Sequence, residues 1–283
     1  LERRDLEAVE TAGLLAIDGT RMEFRHPLVR SSVYQAADPA QRRAVHRALA
    51  AALGDGGEAS TVRRAWHLAL TVVGHDEAVA TVLERAATSA GQRGAFVAAA
   101  HAWERAGRLS PDPEATARRL YESAEAWHMA NHHGRALALL DEAEPLALDR
   151  LLLADMRWLH GRIDGHRGPA VDGAAQLRDT AIDLSDIAPD RAIRLLTTSM
   201  MSSIGGGKLG LALEAAESAH RLAPPVGDPL ELIATLQLGK ILVLTGNVTG
   251  GYPLVMRAAE LLDPGCPLDR DADLVQVAPA LLT

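Results

Sequence analysis

Cysteine is nearly absent from this 283-residue chain: Cys266 stands alone, so neither an intrachain disulfide nor a cysteine-ligated zinc cluster can form. A solitary thiol suits a reducing compartment, and the expected location is the cytoplasm. Aromatic residues make up only 3%, which excludes a core built on large rings. Helices must approach one another over small side chains instead. Lysine is scarce as well: of 29 basic residues, only Lys208 and Lys240 are lysines. No apolar run approaches the roughly 18 residues of a membrane span, and no membrane partner is expected. The opening LERRDLEAVE is charged and carries no signal-peptide pattern. It also lacks methionine, so the chain reads as a piece of something longer. With a formal net charge of -8 and a pI near 5.8, the chain offers no general surface for nucleic acid or anionic lipid.

The motifs of catalysis are missing too. No G-x-x-x-x-G-K-[ST] occurs; the nearest string, IGGGKLG (204–210), lacks the first glycine and reads as a turn between helices. Cys266, in PGCPLD, has no histidine nearby, and no serine sits in G-x-S-x-G. His128, His132 and His133 cluster in WHMANHHG, and the first two are four residues apart, a metal-ligand spacing. Asn131 and Gly134 mark a turn there, no H-E-x-x-H is present, and surface histidines are the reading; His160 and His166 receive the same one. We assign this segment no enzyme chemistry, no metal and no cofactor.

What is present is helix. Near the start, LLAI (14–17) and RMEFR (21–25) flank Asp18-Gly19-Thr20, a hairpin pattern. Met22, Phe24 and His26 alternate with Arg21, Glu23 and Arg25, giving one apolar face that ends on the histidine. Pro27 then suits the first position of a helix, whose Val29 and Val33 share a face. Asp38-Pro39 opens the next helix, with Val45, Leu49, Ala52 and Leu53 as its apolar stripe and Gly54 as its stop. Residues 1–53 hold eight arginines against seven acidic residues, no basic stripe, so direct nucleic-acid contact is not expected.

From about residue 96 one helix recurs: AFVAAAHAWERAGRLSPD (95–112), RALALLDEAEPLALD (135–149), PAVDGAAQLRDTAIDLS (169–185), LGLALEAAESAHRLAP (209–224) and GYPLVMRAAELLDP (251–264). The starts lie about 34 to 42 residues apart, the period of a helix-pair solenoid. Partner helices lie between them: EATARRLYESAEAWHMA, RLLLADMRWLHGRID, DRAIRLLTTSMMSS and PLELIATLQLGKILVLTG. Tyr121, Glu125 and His128 share one face of the first partner helix, and Arg157, His160 and Asp164 share one on the next. Arg194 with Thr198, then Gln237 with Lys240, continue the series. If those faces look inward they line a groove for a small ligand or a peptide; otherwise they are the solvated sides of amphipathic helices.

AGLLAIDGTRMEFRHPLVRSSVYQAADPAQRRAVHRALAAAL (12–53), RRAWHLA (63–69) and AFVAAAHAWERAGRLSPDP (95–113) resemble the large ATP-binding regulators of the LuxR type, bacterial signal-transduction ATPases. The resemblance is specific over residues 12–113 and is one of repeat architecture beyond them. That family joins a P-loop ATPase, a winged-helix segment, a long tetratricopeptide-like region and a helix-turn-helix. The resemblance implies a mainly α fold: a winged-helix portion with one β-hairpin at 1–37, connecting helices at 38–94 and a tetratricopeptide-like superhelix at 95–283. It implies a sensor and relay segment between ATPase and helix-turn-helix. Its partners would be the upstream ATPase domain and a small-molecule inducer or protein, with self-association on activation. ADP or ATP would belong to the full-length parent. In related ATPases a winged-helix histidine touches the β-phosphate of ADP; His26 is the matching position, with Arg25 and Arg30 adding charge. The bland alternative is that His26 packs at a strand-to-helix corner. Lacking the P-loop and the helix-turn-helix, this chain should neither hydrolyse ATP nor read DNA alone. Two alternatives stay open: the same cassette before a cyclase or kinase, and a protein-binding scaffold.

Overall fold

The computed structural model describes residues 3–18, 21–53, 58–165, 171–224 and 229–261, which form fourteen α-helices and one two-stranded hairpin. Gly19, Thr20, Gly54, His166 and Cys266 lie outside the described residues. The order opens α1 (Arg3–Thr11), β1 (Leu15–Asp18), β2 (Arg21–Phe24), α2 (Pro27–Ala36). The strands are antiparallel, with Leu15 opposite Phe24 and Asp18 opposite Arg21. The Arg25 N–H donates to the Leu14 carbonyl at 3.1 Å and carries the pairing one residue further.

Burial alternates along β1, where Leu15 and Ile17 are partly covered, but the apolar face of β2 stays open. Every residue of β2 is exposed, Met22 at 52% and Phe24 at 39%. The next helix, α3 (Pro39–Leu53), starts on a reciprocal cap: Asp38 Oδ1 accepts the Gln41 N–H at 2.8 Å, and Gln41 Oε1 accepts the Asp38 N–H at 3.1 Å. Its expected apolar stripe, however, faces outward. Val45 and Leu49 are exposed, whereas His46 and Ala50 are buried. The reason is that α4 (Glu58–Ala69) packs on the adjacent side of α3. Val33 of α2 is exposed too.

The rest of the chain alternates helix and tight turn: α5 (Glu77–Gln92), α6 (Phe96–Leu109), α7 (Pro113–Met129), α8 (His133–Ala143), a 3-10 turn (Glu144–Leu146), α9 (Arg150–Gly165), α10 (Val171–Leu184), α11 (Pro189–Gly205), α12 (Leu209–Leu222), α13 (Pro229–Leu244) and α14 (Val248–Leu261). Side-chain caps start four of them, Asp149 accepting the Leu151 N–H at 2.9 Å and Asn247 the Gly250 N–H at 3.0 Å. Asp76 accepts the Val79 N–H at 3.0 Å, and Asp112 accepts the Ala115 N–H at 2.9 Å just before Pro113.

One kind of ending recurs. After α5, α7, α11 and α13 a residue takes a left-handed conformation: Gly94, Asn131, Gly207 and Gly246, at φ 74°, 63°, 71° and 92°. The next N–H then reaches back five residues: Ala95 to Ala90, His132 to Trp127, Lys208 to Ser203 and Asn247 to Leu242, at 2.8 to 2.9 Å. This Schellman turn satisfies carbonyls that the helix end would leave bare. The glycine-rich IGGGKLG is one copy of it. Its Gly206, Gly207 and Lys208 N–H groups all bond the preceding helix, so none is presented to a phosphate.

Packing depends on small residues. Ala87, Ala99, Ala100, Ala117, Ala124 and Ala136 share a core with Trp103 and Trp127, as the low aromatic content required. The Ser123 hydroxyl of α7 donates to the Ala100 carbonyl of α6 at 2.8 Å, and Ser199 of α11 does the same to Ala174 of α10 at 2.7 Å. At α13 and α14, Gly239 and Gly251 let two backbones nearly touch. Ion pairs join residues about one helix pair apart: Arg118–Glu84, Arg135–Glu104 and Arg191–Asp155 are separated by 34, 31 and 36 residues. Helices α7, α9, α11 and α13 touch in succession and form one row.

Candidate ligand-binding site

The row of α7, α9 and α11 gathers charge and aromatic surface. Tyr121, Glu122 and Glu125 lie half-buried on α7. Opposite them α9 presents Asp155, Trp158 and Arg162, three and four residues apart and so on one helix face. Arg162 lies over the Trp158 ring at 4.5 Å and Arg194 of α11 approaches it at 5.8 Å, cation–π distances. Asp155 accepts two hydrogen bonds from Arg191 of α11, at 2.9 and 3.2 Å. That fork holds α9 to α11.

Ionisation on this face is unusual. Burial pushes the Glu125 carboxyl above its ordinary value; Arg162 pulls it back and Asp155 raises it again. Burial, then Glu125, raises Glu122 likewise, against Arg118. The Tyr121 phenol is pushed up by burial first and by Glu125, Asp155 and Glu122 after it. Taking a carboxylate out of water without a full partner costs stability. Arg162 and Arg118 offset part of that cost at Glu125 and Glu122.

Of the groove candidates, Tyr121 and Glu125 interact on α7 and Arg194 approaches Trp158; the others lie elsewhere. His128 turns to the α7–α8 corner, its Nδ1 3.2 Å from His133 Nδ1, and the neighbouring His132 ring stands edge-on to Trp127. The supposed His128–His132 pair is therefore a His128–His133 pair, and no group of three metal-ligating side chains occurs among the described residues. Thr198 bonds back to the Arg194 carbonyl at 3.0 Å and packs toward Gly161. Gln237 is buried in α13, its Oε1 without a hydrogen bond among the described residues, and Lys240 is half-buried nearby.

Arg157 and His160 occupy the other side of α9. Arg157 donates to Glu144 at 2.9 Å and to Thr180 at 2.8 Å. His160 lies between Asp141, 3.3 Å from Nε2, and Asp164, 3.1 Å from Nδ1. Arg157, Glu144, His160, Asp141 and Asp164, with Gln176, Leu177 and Ser202, line a cavity of about 180 Å³. The sequence had placed Arg157 and His160 in one series with Tyr121. Since α9 is flanked by α7, α8, α10 and α11, its polar residues divide between two faces.

At the N-terminal corner His26 is the cap of α2. Its Nδ1 accepts the Leu28 N–H at 3.1 Å, and its backbone is extended. Histidine thus does the work of the usual Ser or Asp. Pro27 has no N–H and the Val29 N–H bonds the His26 carbonyl, so the first turn keeps little for an anion. Arg25 folds back on the Leu15 carbonyl at 3.4 Å; Arg30 is exposed.

Sequence reasoning missed Glu122, Asp155, Trp158, Arg162, Arg191 and Ser202. One hint existed: in so aromatic-poor a chain, Trp158 stands four residues before an arginine, a same-face spacing. No protein-family model matches the chain, and no curated protein matches it.

Proposed function

We propose that this chain is the sensing and relay segment of a larger signal-responsive regulator of the LuxR type. Its helix pairs would form a tetratricopeptide-like superhelix with α7, α9, α11 and α13 on the inner side. The observation that carries this reading is the inner-row patch itself. Glu122 and Glu125 are held above their ordinary pKa beside Tyr121, Trp158, Arg162 and Arg194. Half-buried carboxylates beside the Trp158 ring support a ligand or peptide carrying a positive group. Binding would favour one arrangement of the helix row over another, and only that difference in affinity can send a signal.

The recurrent Schellman turns and the ion pairs one helix pair apart support the repeat reading. At the other end, His26 would reach a bound nucleotide through its exposed ring edge and Arg30, with Nδ1 engaged in the cap. In a protein carrying the ATPase, His26→Ala should then hasten ADP release; an unchanged rate would leave His26 a cap alone.

The inner-row reading is tested in the gene's full product with a transcriptional reporter. Trp158→Ala and Glu125→Gln should reduce the response to signal while the circular dichroism of the purified chain is unchanged. An undiminished response in both variants would overturn it. A scaffold that binds another protein is the second reading, supported by the exposed apolar residues Leu28, Val33, Val45 and Leu49 on α2 and α3.

A further inference from the structure

The cavity on the other side of α9 is separate from the inner-row patch and has its own chemistry. Its lining includes three carboxylates, Asp141, Glu144 and Asp164, against two basic groups, Arg157 and His160. Arg157 is paired with Glu144, which also receives the Gln176 amide at 3.4 Å. Among the described residues that leaves the His160 ring as the only basic group between Asp141 and Asp164, one ring nitrogen to each. Whether the ring is neutral or charged, the described lining keeps an excess of negative charge. Each aspartate uses one oxygen on His160, Oδ1 of Asp141 and Oδ2 of Asp164; no hydrogen bond from the described residues occupies the other.

The floor supplies an independent observation. Ser202 is 6% exposed and lines the cavity, yet its hydroxyl has no hydrogen-bond partner among the described residues. A hydroxyl that lines a polar cavity without a protein partner can donate to or accept from a ligand there. From the exposed Asp141 at the rim to Ser202 at the floor, the polar groups thus run from anionic to neutral.

We propose that this cavity binds a small organic ammonium, its charge held by Asp141 and Asp164 and its far end hydrogen-bonded to the Ser202 hydroxyl. A metal ion is a poor fit, because the aspartates approach opposite nitrogens of one imidazole and no set of three ligands converges among the described residues. The size fits as well: a cavity of about 150 Å³ holds a benzene-sized molecule, and this one is about 180 Å³. Leu177, packed against Gly161, gives the cavity an apolar wall for a short carbon chain.

The test uses the purified chain and calorimetry at fixed ionic strength. The probes are 4-aminobutan-1-ol and two molecules of similar length, neutral 1,4-butanediol and anionic 4-hydroxybutyrate. The amine should bind saturably and at least tenfold more tightly than either control. Asp164→Asn should weaken it at least tenfold and Ser202→Ala severalfold, while Asp186→Asn, outside the cavity, should not. Asp141→Asn, at the exposed rim, repeats the charge test with no buried change. No saturable binding of the amine, equal binding of the diol, competition by Mg²⁺ at similar concentration, or full binding by both Asp→Asn variants would overturn the proposal. No reporter enters this test, so its failure would leave the inner-row reading standing.

Discussion

At the scale of single residues, the chain places ionisable groups where their charge is opposed. His46 on α3 is the clearest case outside the candidate sites. Its Nε2 meets the Tyr34 hydroxyl of α2 at 3.0 Å, and its Nδ1 meets His67 Nδ1 of α4 at 3.0 Å. Two ring nitrogens at that distance need one donor and one acceptor, so both rings cannot be fully protonated. Burial, and then His67, hold the His46 pKa below 6.5. A histidine whose folded pKa is depressed favours folding when neutral. Its contribution is therefore present above pH 6.5 and lost as the pH falls below that value. Thermal melts from pH 7.5 to 5 should show the wild type losing stability, and His46→Gln losing less. Parallel pH profiles for the two proteins would contradict this assignment.

At the scale of elements, two contacts set how helices meet. Gly251 of α14 lies against α13 so closely that an added Cβ would sit 2.5 Å from the Gly239 carbonyl oxygen and 2.8 Å from Val243 Cγ2. Replacing a helical glycine by alanine ordinarily gains about 0.5–1 kcal/mol. Here the backbones would have to separate, so Gly251→Ala should instead destabilise, by about 1–3 kcal/mol, in urea unfolding. Between α5 and α7 the joint is electrostatic. Arg119, 2% exposed, binds Glu77 at 2.6 and 2.9 Å and Glu84 at 2.8 Å, and also donates to Ser110. The hydrogen bonds from Arg119 lower the Glu77 pKa; at Glu84 burial opposes ionisation, but Arg118 and Arg119 outweigh it. Arg119→Ala would leave these carboxylates without their common partner. Because Glu77 is partly exposed, the loss should fall at the low end of the range for broken buried pairs, about 3 kcal/mol. A measured loss below the error of the unfolding curve would mean that the network is dispensable.

At the scale of the whole molecule, burial is uneven. The cores run from α4 to α14, whereas α2 has no buried residue and β2 is exposed throughout. Local opening is easiest where few apolar contacts must be broken. Amide hydrogen exchange should therefore be fastest, among the described residues, in β1, β2 and α2, and slowest in α6, α7 and α11. Equal protection in both regions of the isolated chain would show that the hairpin and α2 are held by more than their visible contacts.

The sequence by itself determined much of this protein's local structure. Periodic alanine and leucine, the caps at Asp38, Asp76 and Asp112, and the breaks at Gly94, Asn131, Gly207 and Gly246 mark helices and turns, because capping and left-handed turns depend on neighbours along the chain. It also showed that Tyr121 shares a face with Glu125, and Arg157 with His160. Which face looks where was decided only by tertiary packing. Val45 and Leu49 read as core and face outward, because α4 covers the side holding His46 and Ala50. Arg157 and His160 read as groove residues with Tyr121 and line a different cavity, because α9 has neighbours on several sides at once. Ser202, Asp155 and Arg191 gave no sign in the sequence, since their roles depend on partners more than twenty residues away. Helical periodicity records an angle around one axis; only the packing of several axes turns that angle into an inside, an outside or a site.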